Sequence, residues 1–301
     1  MSRGLISSVD ELDFQISGLP ELPLPNRVLM ADPEFYDVES VANPHMSGNL
    51  GRVDRFTARV QWKQLVTAYE ELGIPVDVLP GVPLLPDLVF TANQVLTLPP
   101  GILAEEPSAV VSIMNSARRQ AETHHISGFL DEAGLHVERL NPFVVPRFEG
   151  AGDALWQPGR ALLFAAVGPR SAEETYPLLH AWTGLPIVVL RLRDPRFYHL
   201  DTCLAILDDH TAVYFPGAFE PASRELLKAL FPQLVEASED DALRMVCNGH
   251  CPDQRHFLVQ AGSSASNERL AALGFVIREL ETSEFLLSGG SVFCMKQHYW
   301  G

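Results

Sequence analysis

The stretch ELGIPVDVL, residues 71–79, returns in altered form three more times, as EAGLHVERL (132–140), WTGLPIVVL (182–190) and ALGFVIREL (272–280). In each copy a glycine separates a segment rich in strong helix formers from a short apolar run of strand length. A glycine just past the last helical turn can take the left-handed backbone conformation that ends a helix. The copies therefore predict four helix–glycine–strand units, with the glycines at positions 73, 134, 184 and 274.

The spacing of these glycines leaves room for a fifth unit. Residues 54–72 and 117–133 carry apolar residues at three- and four-residue spacing, which predicts the helices that precede the first two glycines. The longest gap lies between the third and fourth glycines. We expect a fifth unit within residues 221–248, where the glycine signal is missing.

Short β-rich pairs lie between these units. Residues 154–156 and 161–167 flank a Gln-Pro-Gly-Arg turn, and residues 203–207 and 211–215 flank Asp-Asp-His, so both pairs predict hairpins. Strands and helices that alternate over five units predict an α/β fold with quasi-cyclic repetition. A doubly wound nucleotide-binding fold is the alternative, although the chain has no G-x-G-x-x-G or Walker loop.

Composition limits the kinds of binding partner and the cellular compartment that we expect for this protein. The 301 residues carry a formal net charge of −16, so we expect no nucleic-acid partner and favour a small cationic ligand. The sequence shows no signal peptide or apolar stretch of spanning length, and its four cysteines do not form a secreted framework. We therefore expect a cytoplasmic protein without a membrane partner. We also expect residues 1–25 to be a loosely held N-terminal extension and residues 26–301 to form a single catalytic domain.

Chemically versatile residues follow the repeats at similar offsets. Asp87 comes eight residues after Leu79, Glu149 nine after Leu140, His199 nine after Leu190, and Cys294 14 after Leu280. Similar offsets should place these residues at similar points of each unit, and in a cyclic repeat such points converge near the shared axis. Carboxylates, an imidazole and a thiol that meet there would form a nucleophilic site.

Five motifs in order connect the chain with a known superfamily. They are NPHM (43–46), PDLVFTAN (86–93), FEGAGDALW (148–156), DPRFYHLDT (194–202) and GGSVFCM (289–295). From about Arg27 to Met295 the chain resembles the guanidino-group-modifying enzymes of the pentein, or α/β-propeller, superfamily. That group includes arginine deiminase, dimethylargininase, arginine:glycine amidinotransferase and the arginine dihydrolase of the ornithine–ammonia cycle. The resemblance implies a five-bladed αβ propeller that needs neither a metal nor an organic cofactor.

The resemblance also implies roles for individual residues. It makes Cys294 the nucleophile, His199 the general acid and base, and Glu149 the partner carboxylate of the imidazole. Asp87 and Asp201 would hold the substrate, since a guanidinium suits charge-assisted, fork-like hydrogen bonds to carboxylates. The bound cation could also lower the pKa of the thiol, which is about 8.5 in a free cysteine. His199 would then protonate the departing nitrogen and later activate the water that resolves the adduct.

Several residues have a structural interpretation beside the functional one. Arg119 matches a family arginine that binds the substrate carboxylate, but it could equally be an exposed helix arginine. Asp153 suits a turn or strand start as well as a site. Cys247, His250 and Cys251 have loose metal-ligand spacing, but paired C-x2-C or H-x3-H units are absent, so their role stays open and we predict no metal site.

Two residues bear on the reaction. Dimethylargininase-like sequences typically lack an acid at the position of Asp201, which favours a guanidine with unsubstituted terminal nitrogens. Asn93 is shared with the dihydrolase and could hold a neutral ureido group for a second attack, giving ornithine instead of citrulline.

Other activities stay open on the sequence alone. Dimethylarginine hydrolysis and amidino transfer are alternatives within the family, and the chain lacks the long C-terminal extension of dihydrolase homologues. Outside these reactions, the alternatives are an amide-hydrolysing cysteine enzyme and an inactive propeller that binds a partner. The chain could act alone or as a homo-oligomer.

Overall fold

The computed structural model describes residues 4–301. The helices are α1 (Arg55–Glu71), α2 (Glu122–Glu132), α3 (Gly150–Asp153), α4 (Thr175–Thr183), α5 (Pro221–Leu230), α6 (Glu239–Leu243), α7 (Ser264–Ala272) and α8 (Ser283–Leu286). The strands are β1 (Leu5–Ile6), β2 (Arg27–Ala31), β3 (Val76–Leu79), β4 (Val95–Leu98), β5 (Ser108–Val111), β6 (His136–Arg139), β7 (Ala154–Trp156), β8 (Leu163–Val167), β9 (Ile187–Arg191), β10 (Leu204–Ile206), β11 (Thr211–Tyr214), β12 (Gln233–Glu236), β13 (His256–Gln260), β14 (Val276–Leu280) and β15 (Gln297–Tyr299).

The four repeat glycines stand where the sequence predicts them, between a helix and the strand that follows it. Their φ angles are 75° at Gly73, 93° at Gly134, 67° at Gly184 and 102° at Gly274. Strands β3, β6, β9 and β14 begin two or three residues later. Because side chains with a Cβ rarely adopt this conformation, glycine lets each helix end and the chain turn into a strand.

The fifth unit and both hairpins are confirmed. Helix α5 runs into β12 without a glycine, because the chain leaves the helix through Phe231 in an extended conformation. Strands β7 and β8 pair antiparallel with Leu155 opposite Phe164, and β10 and β11 pair with Ala205 opposite Val213.

The strands form five sheets within residues 4–301, in the orders β15-β2-β3, β4-β5-β6, β1-β9-β8-β7, β10-β11-β12 and β13-β14. Four sheets repeat one plan, in which an antiparallel pair is followed by a helix and a strand parallel to the second member. In the two-stranded sheet, an antiparallel bridge from His250 to Leu258 stands in for the first strand. This is a mixed α/β fold of small separate sheets and not the single doubly wound sheet of the alternative.

Burial changes across most of the sheets. The first and second strands are almost wholly buried, as in β4 and β5, whereas the third strand is partly exposed, as in β6. The exception is β9, which pairs with β1 and is almost wholly buried. Strands covered on both faces become nearly continuous apolar runs, which explains the composition of these inner strands. The connections that enter the first strands therefore lie in the buried part of the molecule.

The expectation of a loosely held N-terminal extension is wrong for the described residues 4–25. Strand β1 pairs parallel with β9, with Leu5 opposite Ile187. Ile16 and Leu19 are only 3% and 4% exposed and belong to the hydrophobic core. These apolar anchors hold the stretch in place, because burying each removes apolar surface from water. The division of the chain at residue 25 itself stays a prediction.

None of the helices in residues 4–301 combines the length and the apolar character that crossing a bilayer requires.

Candidate active site

The four residues singled out by their offsets occupy equivalent connections. Each follows the third strand of one sheet and precedes the first strand of the next. Asp87 lies between β3 and β4, Glu149 between β6 and β7, His199 between β9 and β10, and Cys294 between β14 and β15. The repeated plan thus delivers one chemically active side chain from each of four sheets.

The corresponding connection of the fifth unit supplies Asn248, a residue that the sequence analysis missed. Asn248 ends the short helical turn Val246–Asn248 between β12 and β13 and is fully buried. In the CNGHC stretch, the sequence pattern indicates only Cys247, His250 and Cys251, which have loose metal-ligand spacing. Asn248 could have been identified from its equivalent position in the fifth unit. That unit lacks the glycine that aligns the other four, so the position could not be counted from the sequence.

Cys294 lies in a buried polar environment. Its side chain is 2% exposed, and Sγ donates to Asp201 Oδ2 at 3.1 Å. Burial and the adjacent Asp201 raise the pKa of the thiol well above its ordinary value. Burial also raises the pKa of Asp201 to about 7, against the hydrogen bond from Cys294 and the charge of Lys296. The thiol therefore favours its protonated form in the free protein, and Asp201 binds a proton far more readily than an ordinary aspartate.

Asn248 holds the loop that carries the thiol. Its Oδ1 accepts the backbone N–H of Ser291 at 2.9 Å and that of Cys294 at 3.3 Å. Its Nδ2 donates to Sγ at 3.2 Å and to the backbone oxygen of Asp201 at 2.9 Å. One amide side chain thus fixes the position of the sulfur relative to the carboxylate.

His199 and Glu149 form a buried pair. The imidazole Nε2 lies 2.7 Å from Glu149 Oε2. Arg170 Nη1 donates to the same oxygen at 3.2 Å, and the backbone N–H of Asn115 donates to Oε1 at 2.9 Å. Burial alone would raise the pKa of Glu149, but the His199 hydrogen bond and the charges of His199, Arg170 and Arg119 lower it to about 2. Glu149 is therefore ionised and able to stabilise an imidazolium.

The second ring nitrogen of His199 is available for proton transfer. Nδ1 is buried and has no hydrogen-bond partner among residues 4–301. Gly152 makes this geometry possible, since a Cβ there would lie 2.5 Å from Asn93 Nδ2 and 3.3 Å from His199 Nδ1. The imidazole and the Asn93 amide therefore face the same small space across this glycine.

A small cavity lies beside these groups and is lined by Asn93. Its wall includes Asp87, Asn93, Arg119, Arg170 and Cys294. The thiol thus shares one cavity with the Asn93 amide that approaches His199, and Asp201, which contacts the thiol, is two residues from His199. Of the seven residues selected from the sequence, four line this cavity, Asp201 contacts Cys294, and His199 pairs with Glu149.

Asp87 presents its carboxylate to this cavity. The side chain is 7% exposed and makes no hydrogen bond or ion pair with the described part of the chain. Burial raises its pKa, although the charges of Arg119, Arg118 and Arg170 oppose this effect. A cationic ligand would supply the missing partner.

Arg119 is buried, so it is not the exposed helix arginine of the structural interpretation. It pairs with Glu122 at 3.0 Å and donates to Asn93 Oδ1 at 3.1 Å. Its Nη2 also lies 3.4 Å from the backbone oxygens of Asp87 and Phe90. These contacts hold Asn93 and the Asp87 turn in place.

Two further residues support the His199 pair. Asp153 accepts the Ser171 hydroxyl at 2.6 Å and the backbone N–H of Leu200 at 3.1 Å, so it fixes the chain next to His199. Arg170, which the sequence analysis missed, bridges Glu149 to the backbone oxygen of Ala42 at 2.9 Å and stacks 4.9 Å from the Tyr198 ring. Arg170 lies outside the five motifs, so no local pattern marks it.

The remaining cysteines are free thiols packed in the structure. Cys203, Cys247 and Cys251 are each no more than 4% exposed. Within residues 4–301, no three His, Cys, Asp or Glu side chains are arranged to hold a metal ion.

Comparison with known proteins identifies the family. The family model of eukaryotic N,N-dimethylarginine dimethylhydrolase matches residues 48–299. The chain belongs to this family. A dimethylarginine dimethylaminohydrolase of Mycobacterium tuberculosis is 35% identical over 275 residues, which make up 90% of this chain and 85% of that protein. The resemblance to guanidino-group-modifying enzymes is confirmed.

Arginine dihydrolases are equally similar to the chain. The bifunctional arginine dihydrolase/ornithine cyclodeaminase ArgZ of Synechocystis is 35% identical over 271 residues, or 89% of this chain. The chain covers only 37% of the length of that relative. A crystal structure of the N-terminal domain of ArgZ, covalently bound to a reaction intermediate, has a TM-score of 0.84 and 34% identity, and the match covers 90% of this chain and 97% of that domain.

Proposed function

We propose that the chain is a cofactor-independent hydrolase of the guanidino group of arginine or a close derivative, acting through a covalent amidino adduct on Cys294. The observation that carries this proposal is the buried contact of 3.1 Å between Cys294 Sγ and Asp201 Oδ2, in a cavity that also exposes Asp87. A thiol between carboxylates suits a cationic carbon centre better than a neutral amide.

Substrate binding begins at the two carboxylates. Asp87 and Asp201 accept N–H groups of the guanidinium on opposite sides and hold it planar. The cation favours the ionised forms of Asp201 and Cys294, whose pKa values are raised in the free protein. The thiol proton leaves through the adjacent Asp201 or His199, and the thiolate forms only when substrate is bound.

In the chemical steps, Nδ1 of His199 first donates and then accepts a proton. The thiolate attacks the guanidinium carbon and a C–S bond forms. His199 Nδ1 donates a proton to the departing nitrogen, the C–N bond breaks, and ammonia or an amine leaves. Water next attacks the amidino carbon while Nδ1 accepts its proton, and the C–S bond breaks to give a ureido product and regenerate the thiol. Glu149 stabilises the imidazolium in both steps.

Asn93 supports the extension of this reaction to ornithine. Its Oδ1 is held by Arg119, while its buried Nδ2 has no partner in the described chain and can donate to a ureido oxygen. A retained citrulline would undergo a second hydrolysis, giving ornithine, carbon dioxide and a second ammonia. The similarity to ArgZ, an arginine dihydrolase, supports this assignment.

Dimethylarginine is the second candidate substrate. The family model and the Mycobacterium tuberculosis relative favour it, and its hydrolysis would give citrulline and dimethylamine. Asp201 argues against it, because methyl groups would leave one carboxylate unpaired in a buried site. Transfer of the amidino group to an amine would use the same adduct, with an amine replacing the water.

The wider organisation is also a proposal. The repeated plan of the five sheets supports a five-bladed αβ propeller over residues 26–301, preceded by an extension over residues 1–25. The complete Cys294, His199 and Glu149 set supports an enzyme over an inactive binding module. The acidic charge supports a cytoplasmic protein with a small cationic partner and no nucleic-acid or membrane partner, and a homo-oligomer is compatible with it.

Product analysis tests the proposal. The protein is incubated separately with arginine, N,N-dimethylarginine, citrulline and agmatine, and products are identified by mass spectrometry, with Cys294→Ser as the control. We expect arginine to give ornithine and two ammonia, with no turnover by the variant. Citrulline accumulation with one ammonia would reject the second hydrolysis. Turnover of none of the four guanidines and ureides would reject the proposed function.

A further inference from the structure

The side-chain amide of Asn93 can face the candidate active site in two ways. With Nδ2 turned inward it donates a hydrogen bond, whereas with Oδ1 turned inward it accepts one, as an aspartate does. The side chain is buried, and the backbone oxygen of Asn93 accepts the Ser112 hydroxyl at 2.7 Å. Because the backbone is fixed, the groups behind the amide decide which end faces the site.

Arg119 sets the orientation of this amide. A guanidinium carries only donors, so the atom of Asn93 that it contacts at 3.1 Å is the oxygen Oδ1. The nitrogen Nδ2 then has no partner in residues 4–301 and lies on the side of Gly152 and His199. This is the nitrogen that would hold a ureido oxygen in the proposed second hydrolysis.

Arg119 is itself held by Glu122, three residues further along the chain. Its Nε donates to both carboxylate oxygens, at 3.0 Å to Oε2 and 3.3 Å to Oε1. Its Nη2 lies 3.0 Å from Oε2 as well. Glu122 is only 1% exposed. The pair is therefore shielded from water, and its several contacts fix the direction of the guanidinium as well as its distance.

Glu122 also holds the residue next to Asn93. Gln94 is fully buried, and its Nε2 donates to Glu122 Oε2 at 2.6 Å. One carboxylate thus acts on Asn93 in two ways, through Arg119 and through the neighbouring residue of the chain. Glu122 does not line the cavity of the candidate active site, so it acts on a substrate only through these residues.

We infer that Glu122 is a positioning residue that selects ornithine over citrulline as the end product. This inference rests on the proposed hydrolysis of arginine and adds a residue that controls its second step. With Glu122 in place, Arg119 holds Oδ1, and the amide of Asn93 presents a donor to the oxygen of a retained ureido group. Without Glu122, Arg119 is free to move, and the amide can turn an acceptor towards that oxygen instead. The first attack on the guanidinium carbon does not use this donor.

The ratio of the two products tests this inference. Wild type and Glu122→Gln are incubated with arginine at about pH 8, because burial raises the pKa of Glu122 to about 7, against the charge of Arg119, and the carboxylate is ionised above that pH. Ornithine and citrulline are quantified by mass spectrometry. We expect their ratio to fall at least about tenfold in the variant, the effect of one buried hydrogen bond, while arginine is still consumed. A loss of folded protein would lower both products together and leave their ratio unchanged.

Two further variants complete the experiment. Glu132→Gln is the matched control, because it makes the same chemical change at an exposed position of the same helix, and it should keep the wild-type ratio. Gln94→Met removes only the second contact of Glu122 and leaves no charge unpaired. It should lower the ratio by a smaller factor, and it tests the inference even if Glu122→Gln does not fold.

Several results would overturn the inference. One is an unchanged ratio in either Glu122→Gln or Gln94→Met, provided that the variant folds. Another is complete loss of arginine turnover by folded Glu122→Gln, which would place its effect on the first step. Citrulline as the sole product of the wild type would also overturn it, while leaving hydrolysis of the guanidino group intact. Absence of any arginine turnover by the wild type would reject the proposed function itself, and the inference with it.

Discussion

Cys294, the proposed nucleophile, has surroundings that favour its protonated form. Its sulfur lies 3.1 Å from Asp201, and both groups have raised pKa values because they are buried together. In the proposed mechanism, a guanidinium bound between Asp201 and Asp87 would reverse this balance, since it would pair with the charged forms. Recognition of a cationic substrate would then activate the thiol.

Asn248 should control this coupling. Replacing it with alanine removes the acceptor for two backbone amides and the donor to the sulfur. We expect kcat to fall by about 10- to 100-fold, because unsatisfied buried groups cost about 1–3 kcal/mol. Asn248→Asp keeps an acceptor for the amides but replaces the amide donor with a carboxylate, which raises the pKa of the thiol. Alkylation by iodoacetamide should then require a higher pH, and an unchanged pH profile would contradict this role.

Glu149 should make folding stability depend on pH. Its pKa is lowered from 4.5 to about 2, so the stabilisation is fully present above 4.5 and is lost as the pH falls towards 2. Urea unfolding of wild type and Glu149→Gln should differ by about 3 kcal/mol near neutral pH and converge under acid conditions. Glu105→Gln, at an exposed position, is the control. A constant difference between wild type and Glu149→Gln across this range would count against the ionised buried pair.

At the scale of the elements, the connections between sheets position the side chains of the candidate active site. Helix α3 brings Gly152 against His199 and Asn93, two groups from other connections. Because Gly152 has no side chain, the imidazole of His199 and the amide of Asn93 can both approach helix α3.

Two glycine substitutions should distinguish the effect of an added side chain on activity from the effect of backbone strain on stability. Gly152→Ala puts a methyl group 2.5 Å from Asn93 Nδ2, so we expect a fall in kcat of at least about tenfold through displacement of Asn93. Gly184→Ala meets nothing within 4 Å but keeps a φ of 67°. It should cost about 1–2 kcal/mol of stability with kcat unchanged. Unfolding and steady-state measurements on both variants check this, and the reverse pattern would contradict it.

The elements that the sequence predicts are those with a local cause. Gly73, Gly134, Gly184 and Gly274 each end a helix through a backbone conformation that few other residues adopt, so pattern alone locates the strands that follow. The fifth unit lacks this glycine. The position of Asn248 is therefore recognised only when the connections of all five units are compared in the structure. Arg170 reaches the site through tertiary packing, which no spacing in the sequence records.

At the scale of the whole molecule, strands near both ends of the described residues 4–301 pair with strands of the repeated units. Strand β15 pairs with β2, with His298 opposite Val28, and so joins the C-terminal residues to the start of the repeats. The stretch before β2 is packed too, because its apolar residues cover the core. This packing could not be predicted from the sequence, because short Pro-rich segments without clear periodicity do not indicate which sheet they join.

The N-terminal stretch should therefore contribute to global stability. Ile16→Ala should lower the free energy of unfolding by about 2–4 kcal/mol, because it removes a buried core side chain. Ile16 does not line the cavity of the candidate active site, so we expect an unchanged kcat. Phe143→Ala is the control, because Phe143 is 97% exposed and its loss should change stability by less than about 0.5 kcal/mol. Equal stability of the two variants would indicate that the stretch is dispensable.

Trapping of the adduct tests the central claim most directly. The protein is mixed with arginine, quenched in acid during turnover, and analysed by intact-mass and peptide mass spectrometry. The account predicts an adduct with the mass of arginine less ammonia, located on Cys294 and absent from Cys294→Ser. Turnover of arginine by the Cys294→Ser variant, or an adduct on another residue, would contradict it.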